Sequence, residues 1–273
     1  MPPTPSARLP WVDHLRTLVI LLVVNMHACV TYSHVGSWYA MSEREPSFVA
    51  KIPFIIWQAH LQSFFMGLLF FVSGYFAHGS LARRGPASFA RERLLRLGAP
   101  TLLYMLAIHP FILLVLNPWH AHFPPAPAFY SNYLLTGKFI GSTGPLWFAL
   151  ALLIFSLVLV AWRALRPPPA AASPATSPAP SACALWLFAL SLGLIALFSK
   201  KLNRETIPLR WLADRSFAVY VLHAPVIIAL FMLYRALPQN PFALAALLTF
   251  TGLVAAFALA DLARRVPGLR AIL

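Results

Sequence analysis

The chain has 273 residues, of which 60% are hydrophobic and only 10% are charged. Soluble domains carry about 25% charged residues, so this composition excludes an ordinary soluble protein. Lysine and arginine total 21 against seven acidic residues, which gives a formal net charge of +14. Because the basic residues stand at the ends of apolar segments, the charge indicates orientation in a membrane rather than nucleic-acid binding.

Apolar segments long enough to cross a bilayer recur along the chain. A spanning helix needs roughly 20 predominantly apolar residues. We therefore predict an all-α, polytopic transmembrane bundle of about seven spans, the first of which is not cleaved as a signal peptide. The fifth candidate is the shortest. In chain order the candidates lie near Leu18–Tyr32, Ile52–Phe76, Leu97–Leu116, Leu146–Leu165, Cys183–Phe198, Phe217–Leu237 and Phe242–Leu262.

The middle of the chain presents a topological problem. Residues 167–182 are only Pro, Ala, Ser and Thr, which predicts a linker inside a single membrane-embedded domain over residues 1–273. The positive-inside rule places the N-terminus, the arginines at 83–96 and Arg163 in the cytoplasm. A fifth span would then leave the basic segment Lys200–Arg215 outside. Either Cys183–Phe198 does not cross fully, or an odd number of spans is absent before it; we favour the second.

Two ionisable residues share one face of the first predicted helix. Arg16 and His27 are eleven residues apart, which is three turns plus a small remainder and roughly 16 Å along the axis. A neutral imidazole is a good general base, and an arginine can hold a phosphate. The alternative is that Arg16 anchors the helix at the interface and His27 makes a structural hydrogen bond.

A second helix carries Tyr220 and His223, three residues apart and therefore on one face. Ionisable groups in a hydrocarbon core are costly, so His223 is a candidate functional residue, with a structural role equally open. Asp214 is expected just before this helix, where it could cap the helix start. Ser73 and Gly74 favour close helix packing.

The remaining histidines and cysteines point to no particular chemistry. We predict no metal site, because the nearby His120 and His122 lack a third ligand and fit a solvated loop. The other assignments are structural: His60 and His109 as isolated helical histidines, and Cys29 and Cys183 as packing residues.

Five motifs together resemble the acyltransferase 3 family of multi-spanning membrane acyltransferases. The chain looks closest to the branch similar to glucan biosynthesis protein C. The motifs cover both ends of the chain in the family's order. They are Trp11–Arg16 followed by His27, the aromatic segment Phe64–Phe76, the arginine run Arg91–Arg96 before Pro100, Gly144–Phe148, and the helix with Tyr220 and His223.

The resemblance implies transfer of an acetyl or succinyl group from a cytoplasmic donor such as acyl-CoA, a co-substrate rather than a bound cofactor, to a glycan hydroxyl. It implies His27 as catalytic base and Arg16 as a residue that helps hold the donor. From charge we add that the basic loop suits the phosphates of CoA. The loop residues are Arg91, Arg93 and Arg96, and motif positions without an assigned role are Asp13, Ser73, Trp147, Tyr220 and His223.

The expected location is a bacterial inner membrane, with the lipid bilayer, the acyl donor and the glycan as partners and no nucleic acid. One departure is large: similar family members usually have about ten spans, so about three are missing here. Two other interpretations stay open. The chain could be a proton-coupled transporter, or an inactive shortened relative.

Overall fold

A computed structural model describes residues 9–116, 125–165, 182–238 and 240–273; for residues 182–188 it describes the backbone alone. Regular structure within these ranges is helical throughout, which confirms the all-α bundle. The helices are α1 (Pro10–Ser33), α2 (Phe48–Arg84), α3 (Pro86–Leu116), α4 (Ala126–Leu135), α5 (Trp147–Leu165), α6 (Ala182–Lys201), α7 (Ile207–Tyr234), α8 (Pro241–Ala263) and α9 (Pro267–Ile272).

Six helices in the described ranges are long and apolar enough to cross a membrane, namely α1, α2, α3, α5, α7 and α8. The chain is an integral membrane protein. The seventh candidate, Cys183–Phe198, lies within the 20-residue helix α6. The linker predicted at residues 167–182 lies outside the described residues except for Ala182, which begins α6, and His120 and His122 also lie outside them.

Helix α1 is the centre of the bundle, packed along α7 and α8 and also against α2 and α6. Its Asn25 joins three helices: the Asn25 amide donates to Thr249 Oγ1 at 3.1 Å, and Trp57 Nε1 donates to Asn25 Oδ1 at 2.7 Å. Hydrogen bonds between helices are a main source of specificity in a bilayer, where lipid tails are as apolar as leucine.

The end of the bundle where α1 begins, here called the basic end, collects most of the arginines and lysines. Two contacts between helices lie there. Arg163 Nη2 of α5 lies 2.7 Å from His78 Nδ1 of α2, and Arg215 Nε of α7 donates to Asp261 Oδ1 of α8 at 2.7 Å. At the opposite end, Phe54 of α2 stacks on Phe242 of α8, with ring centroids 4.8 Å apart.

Helix α6 also finishes at the basic end, because His14 Nδ1 in the first turns of α1 donates to the Leu202 carbonyl at 2.8 Å. Helix α5 finishes there too, so α5 and α6 run in the same direction. The segment Lys200–Arg215 therefore lies on the same side of the bundle as the start of α1, as the positive-charge pattern predicts.

Prolines shape α3, which contains three π-helical stretches. Pro110 has no N–H to donate to the carbonyl of Leu106 four residues earlier, and the Tyr130 hydroxyl of α4 donates to that carbonyl at 3.2 Å. Tyr133 donates to the neighbouring Met105 carbonyl at 2.7 Å. Helix α4 thus docks on the irregular backbone of α3 through these two hydrogen bonds. Carbonyls freed by an irregular helix in a membrane need such partners.

The start of α7 differs from the prediction. The helix begins at Ile207 and its N-cap is Thr206, whose hydroxyl accepts from the Leu209 N–H. Asp214 lies inside the helix, so its predicted capping role is wrong. Leu209 and Trp211 extend the apolar pattern ahead of Asp214, and a threonine cap followed by Pro208 is an ordinary helix start.

Candidate active site

The two intramembrane histidines singled out in the sequence meet inside the bundle. His27 Nδ1 of α1 lies 3.1 Å from His223 Nε2 of α7. Their rings are stacked with centroids 5.0 Å apart. His223 is fully buried, whereas His27 is half-buried. A partly accessible imidazole held by a buried one is a suitable arrangement for proton transfer.

The hydrogen bonds of His223 determine where the protons lie. His223 Nδ1 is 2.7 Å from the Tyr220 carbonyl, which can only accept, so Nδ1 carries the proton. In neutral His223, Nε2 is then an acceptor, and His27 Nδ1 must donate to it. A neutral His27 consequently has its free lone pair on Nε2. His223 thus favours the Nδ1–H tautomer of His27, in which Nε2 is the basic nitrogen.

Trp38 covers His27. Its ring stacks on the imidazole with centroids 3.8 Å apart and planes at 21°, and its indole Nε1 is buried without a hydrogen-bond partner among the described residues. Sequence reasoning missed Trp38 because it belongs to a loop. The loop folds back through His34, which ends α1 in the left-handed region with φ of 58°, and through the Ser42 N–H, which donates to the Thr31 carbonyl at 2.8 Å.

The predicted motif at Gly144–Phe148 reaches the site through its backbone. The Tyr220 hydroxyl donates to the Pro145 carbonyl, which ties this turn to the helix turn before His223. Gly144 has φ of 49°, and an added Cβ would lie 2.5 Å from the Tyr39 hydroxyl and 2.6 Å from the Tyr104 hydroxyl. Glycine is therefore required here for both conformation and space. Trp147 itself is exposed.

A chain of hydrogen bonds runs beside this turn. Tyr104 Oη donates to Tyr39 Oη at 3.0 Å, and Tyr39 Oη lies 2.8 Å from His109 Nδ1. Burial raises the pKa of Tyr39 to about 12, so its hydroxyl stays protonated and can donate to His109. His109, assigned from the sequence as an isolated structural histidine, thus belongs to the surroundings of Trp38 and His27.

The predicted donor-binding arginines lie at the basic end, apart from the histidines. Arg16 is exposed, and it lies three helical turns from His27, about 16 Å along the axis. Arg93 is close enough to Arg16, Arg84 and Arg96 to interact with their charges. Glu92 pairs with Arg84 and, at 3.4 Å, with Arg96. Four arginines with two acidic neighbours, Glu92 and Asp13, leave this surface positive.

Other predicted motif positions lie away from the histidine pair. Asp13 is in the first turn of α1, where its carbonyl accepts from Thr17. Arg91 is exposed, and Ser73 is half-buried in the part of α2 that leads to Arg83 and Arg84. A Cβ added to the neighbouring Gly74 would meet no atom within 4 Å, so the predicted close packing at this glycine is wrong in the described part of the chain.

Comparison with known proteins gives two findings. A model of the acyltransferase 3 family, an acyltransferase domain, matches residues 9–172 and 170–261. Glucans biosynthesis protein C of Escherichia coli strain SMS-3-5 / SECEC is 28% identical over 163 residues, 59% of this chain. The protein of the same name from Escherichia coli O1:K1 / APEC is equally similar.

The aligned segment covers 40% of the length of these relatives. No solved structure matches the chain significantly. The family match, in contrast, extends over most of the sequence on both sides of residues 170–172 and includes both helices that carry the paired histidines. The chain belongs to the acyltransferase 3 family.

Proposed function

We propose that the protein transfers an acetyl or succinyl group from acyl-CoA to a glycan hydroxyl, with His27 as general base. His27 Nε2 removes the proton of the acceptor hydroxyl while its oxygen attacks the thioester carbonyl. The carbon–sulfur bond then breaks, and the proton on His27 passes to the departing CoA thiolate. The products are an ester and free CoA, so atoms and charge balance.

The proposal rests mainly on a chain of two hydrogen bonds, from His223 to the Tyr220 carbonyl and from His27 to His223. It leaves the lone pair of neutral His27 on Nε2, and the His27 side chain is only half-buried, as a general base requires. His223 is a positioning residue in this scheme, because it acts through His27 and has no free nitrogen of its own.

Trp38 supplies the second requirement of acyl transfer, a donor for the negative charge that develops on the carbonyl oxygen. Its Nε1–H is buried beside the base and unpartnered within the described ranges. Buried polar groups are normally satisfied, and exceptions cluster at functional sites. A preorganised N–H at the developing oxyanion is one of the largest contributions to catalysis.

The arginines at the basic end are the proposed contacts for the CoA phosphates. Arg16, Arg93 and Arg96 lie at one surface, and arginine binds phosphate through two parallel hydrogen bonds. The arm of CoA that carries the thioester would extend about 16 Å along α1 toward His27. Because the basic end is expected to be cytoplasmic, the donor would enter from the cytoplasm of a bacterial inner membrane.

The proposal is tested with membranes that contain the protein, incubated with radiolabelled acetyl-CoA or succinyl-CoA and a glucan. The expected result is label in the glucan with the wild-type chain and none above background with His27→Ala. His60→Ala is the matched control, since His60 is an exposed histidine of α2 in contact only with Trp57 and Phe64 among described aromatic rings. Equal labelling by wild type and His27→Ala would contradict the proposal.

A further inference from the structure

A cavity of about 390 Å³ lies near the end of the bundle opposite the arginines. It is lined mainly by His109, Phe129, Asn132, Tyr133, Lys138 and Ser142. Its volume is in the range of small-molecule binding sites, which combine aromatic walls with a few polar groups. Neither His27 nor His223 lines it, so it is distinct from the site of proton transfer.

The cavity walls combine flat apolar surfaces with groups that hydrogen-bond. Phe129 and Tyr133 are buried residues one turn apart on α4, with ring centroids 5.5 Å apart and planes at 19°. Tyr133 is also nearly parallel to His109 across 6.1 Å. The hydroxyl of Tyr133 is occupied by the Met105 carbonyl, which holds the ring in place.

Three polar side chains stand at the rim. Asn132 shares the face of α4 with Phe129, since the two are three positions apart. Lys138 and Asn132 are exposed, and neither side chain has a hydrogen bond or ion pair to another part of the chain that the structure describes. Ser142 donates to the Lys138 carbonyl at 3.0 Å and also lies within hydrogen-bonding range of the Tyr133 hydroxyl, and its oxygen can still accept from a ligand.

This mixture fits a sugar ring better than a lipid chain or a CoA phosphate. A pyranose has an apolar C–H face that packs on aromatic rings and a rim of hydroxyls that both donate and accept. The amide of Asn132, the hydroxyl of Ser142 and the ammonium of Lys138 match such a rim. A phosphate would favour the arginines at the other end, and an alkyl chain would leave three polar groups unused.

The cavity is joined to the candidate active site by two contacts. His109, in its wall, lies against Tyr39, whose neighbour Trp38 stacks on His27. Ser142 lies two residues before Gly144, and the Tyr220 hydroxyl holds the following turn at Pro145; Tyr220 is one helical turn before His223. We infer that this cavity binds a sugar unit of the acceptor glycan next to the unit that is acylated. The inference rests on the proposed function for the identity of the acceptor.

The test measures binding of a fluorescently labelled glucose tetrasaccharide to the purified full chain without any acyl donor. Asn132→Ala and Lys138→Ala are each expected to weaken binding about fivefold, the effect of one hydrogen bond. Both side chains are exposed, so the fold should be retained. Ser131→Ala, which changes the exposed residue beside Asn132, is the control and should bind as wild type.

The acylation assay separates this inference from the proposed function. The same two variants should raise the KM for the tetrasaccharide about fivefold and leave the KM for glucose unchanged, because glucose has no second unit to occupy the cavity. His27→Ala should bind the tetrasaccharide normally. Wild-type affinity in both Asn132→Ala and Lys138→Ala would overturn the cavity assignment even if acylation depends on His27. If Asn132→Ala and Lys138→Ala weaken binding but acylation does not depend on His27, the sugar site is supported and the proposed function is wrong.

Discussion

A single rotamer and proton arrangement gives His27 its proposed role. Its Nδ1–H is committed to His223, and Trp38 covers one face of its ring, so Nε2 is the remaining functional atom. The same contacts explain why neither histidine would suffice alone. Without His27, His223 keeps its bond to the Tyr220 carbonyl, but its free Nε2 is fully buried; His27 without His223 would be free to adopt the other tautomer.

Replacement of Trp38 by phenylalanine tests the proposed oxyanion donor. The variant keeps an aromatic ring over His27 but loses the indole N–H, so kcat should fall about 100-fold with little change in the KM for acyl-CoA. Steady-state kinetics with detergent-solubilised protein measures both constants. Trp162→Phe, an exposed position on α5, is the control. An unchanged kcat in Trp38→Phe would show that the indole N–H takes no part.

Sequence reasoning identified His27 and His223 separately, from the cost of burying an ionisable group. It could not pair them, because their contact depends on how α1 and α7 cross. The role of Trp38 could not be predicted from the sequence for a different reason. The loop that carries this residue returns over α1 after His34 adopts a left-handed conformation, which only a small minority of non-glycine residues do, although histidine is enriched among them.

At the scale of elements, polar cross-links between helices fix the position of α1. Asn25 is bonded to Trp57 of α2 and Thr249 of α8, half a turn before His27. The apolar period of the sequence predicts which segments are helices but not which of them touch, since lipid tails and leucine side chains are equally apolar. A few polar residues therefore determine the arrangement that an apolar pattern leaves open.

A double-mutant cycle between Asn25→Ala and Trp57→Phe tests this cross-link. Interhelical hydrogen bonds in membrane proteins average about 0.6 kcal/mol, so the coupling free energy should be near that value. Asn25→Ala alone should cost about 1 kcal/mol, because it removes bonds to two helices. Unfolding in mixed micelles of increasing denaturing detergent gives the free energies. Strict additivity of the two substitutions would contradict a bond between the side chains.

The irregular helix α3 shows a second limit of prediction at this scale. Its apolar run near Leu97–Leu116 predicted a span, and the structure confirms a longer one, Pro86–Leu116. The π-helical stretches and the docking of α4 onto carbonyls beside Pro110 did not follow from periodicity. The docking depends on a backbone carbonyl that loses its usual N–H donor at the proline. It also depends on the α4 tyrosines that lie close enough to donate to the carbonyls of this region.

At the scale of the whole molecule, charge predicted the arrangement of the ends correctly. The start of α1, the segment Lys200–Arg215 and the end of α8 meet at the basic end. Helices α5 and α6 run parallel, and the two family matches meet at residues 170–172, between these helices. We therefore expect that the chain lacks an odd number of spans present in longer relatives, and that its basic end faces the cytoplasm.

Accessibility of single cysteines tests this topology in a background where Cys29 and Cys183 are alanine. Arg204→Cys and Arg83→Cys should react only with a reagent on the cytoplasmic side of sealed membranes. Ser131→Cys on α4 should react only from the opposite side, because α4 docks near the far end of α3. Labelling of Arg204→Cys and Arg83→Cys from different sides would refute the shared basic end.

The most direct test of the whole account is the rate of acyl-CoA cleavage by four proteins: wild type, His27→Ala, His223→Ala and the double variant. If His223 acts only by orienting His27, His27→Ala should abolish glycan-dependent thioester cleavage and His223→Ala should lower it by about 100-fold or more. The double variant should then be no slower than His27→Ala. Wild-type cleavage by His27→Ala, or independent and additive losses in the double variant, would contradict the account.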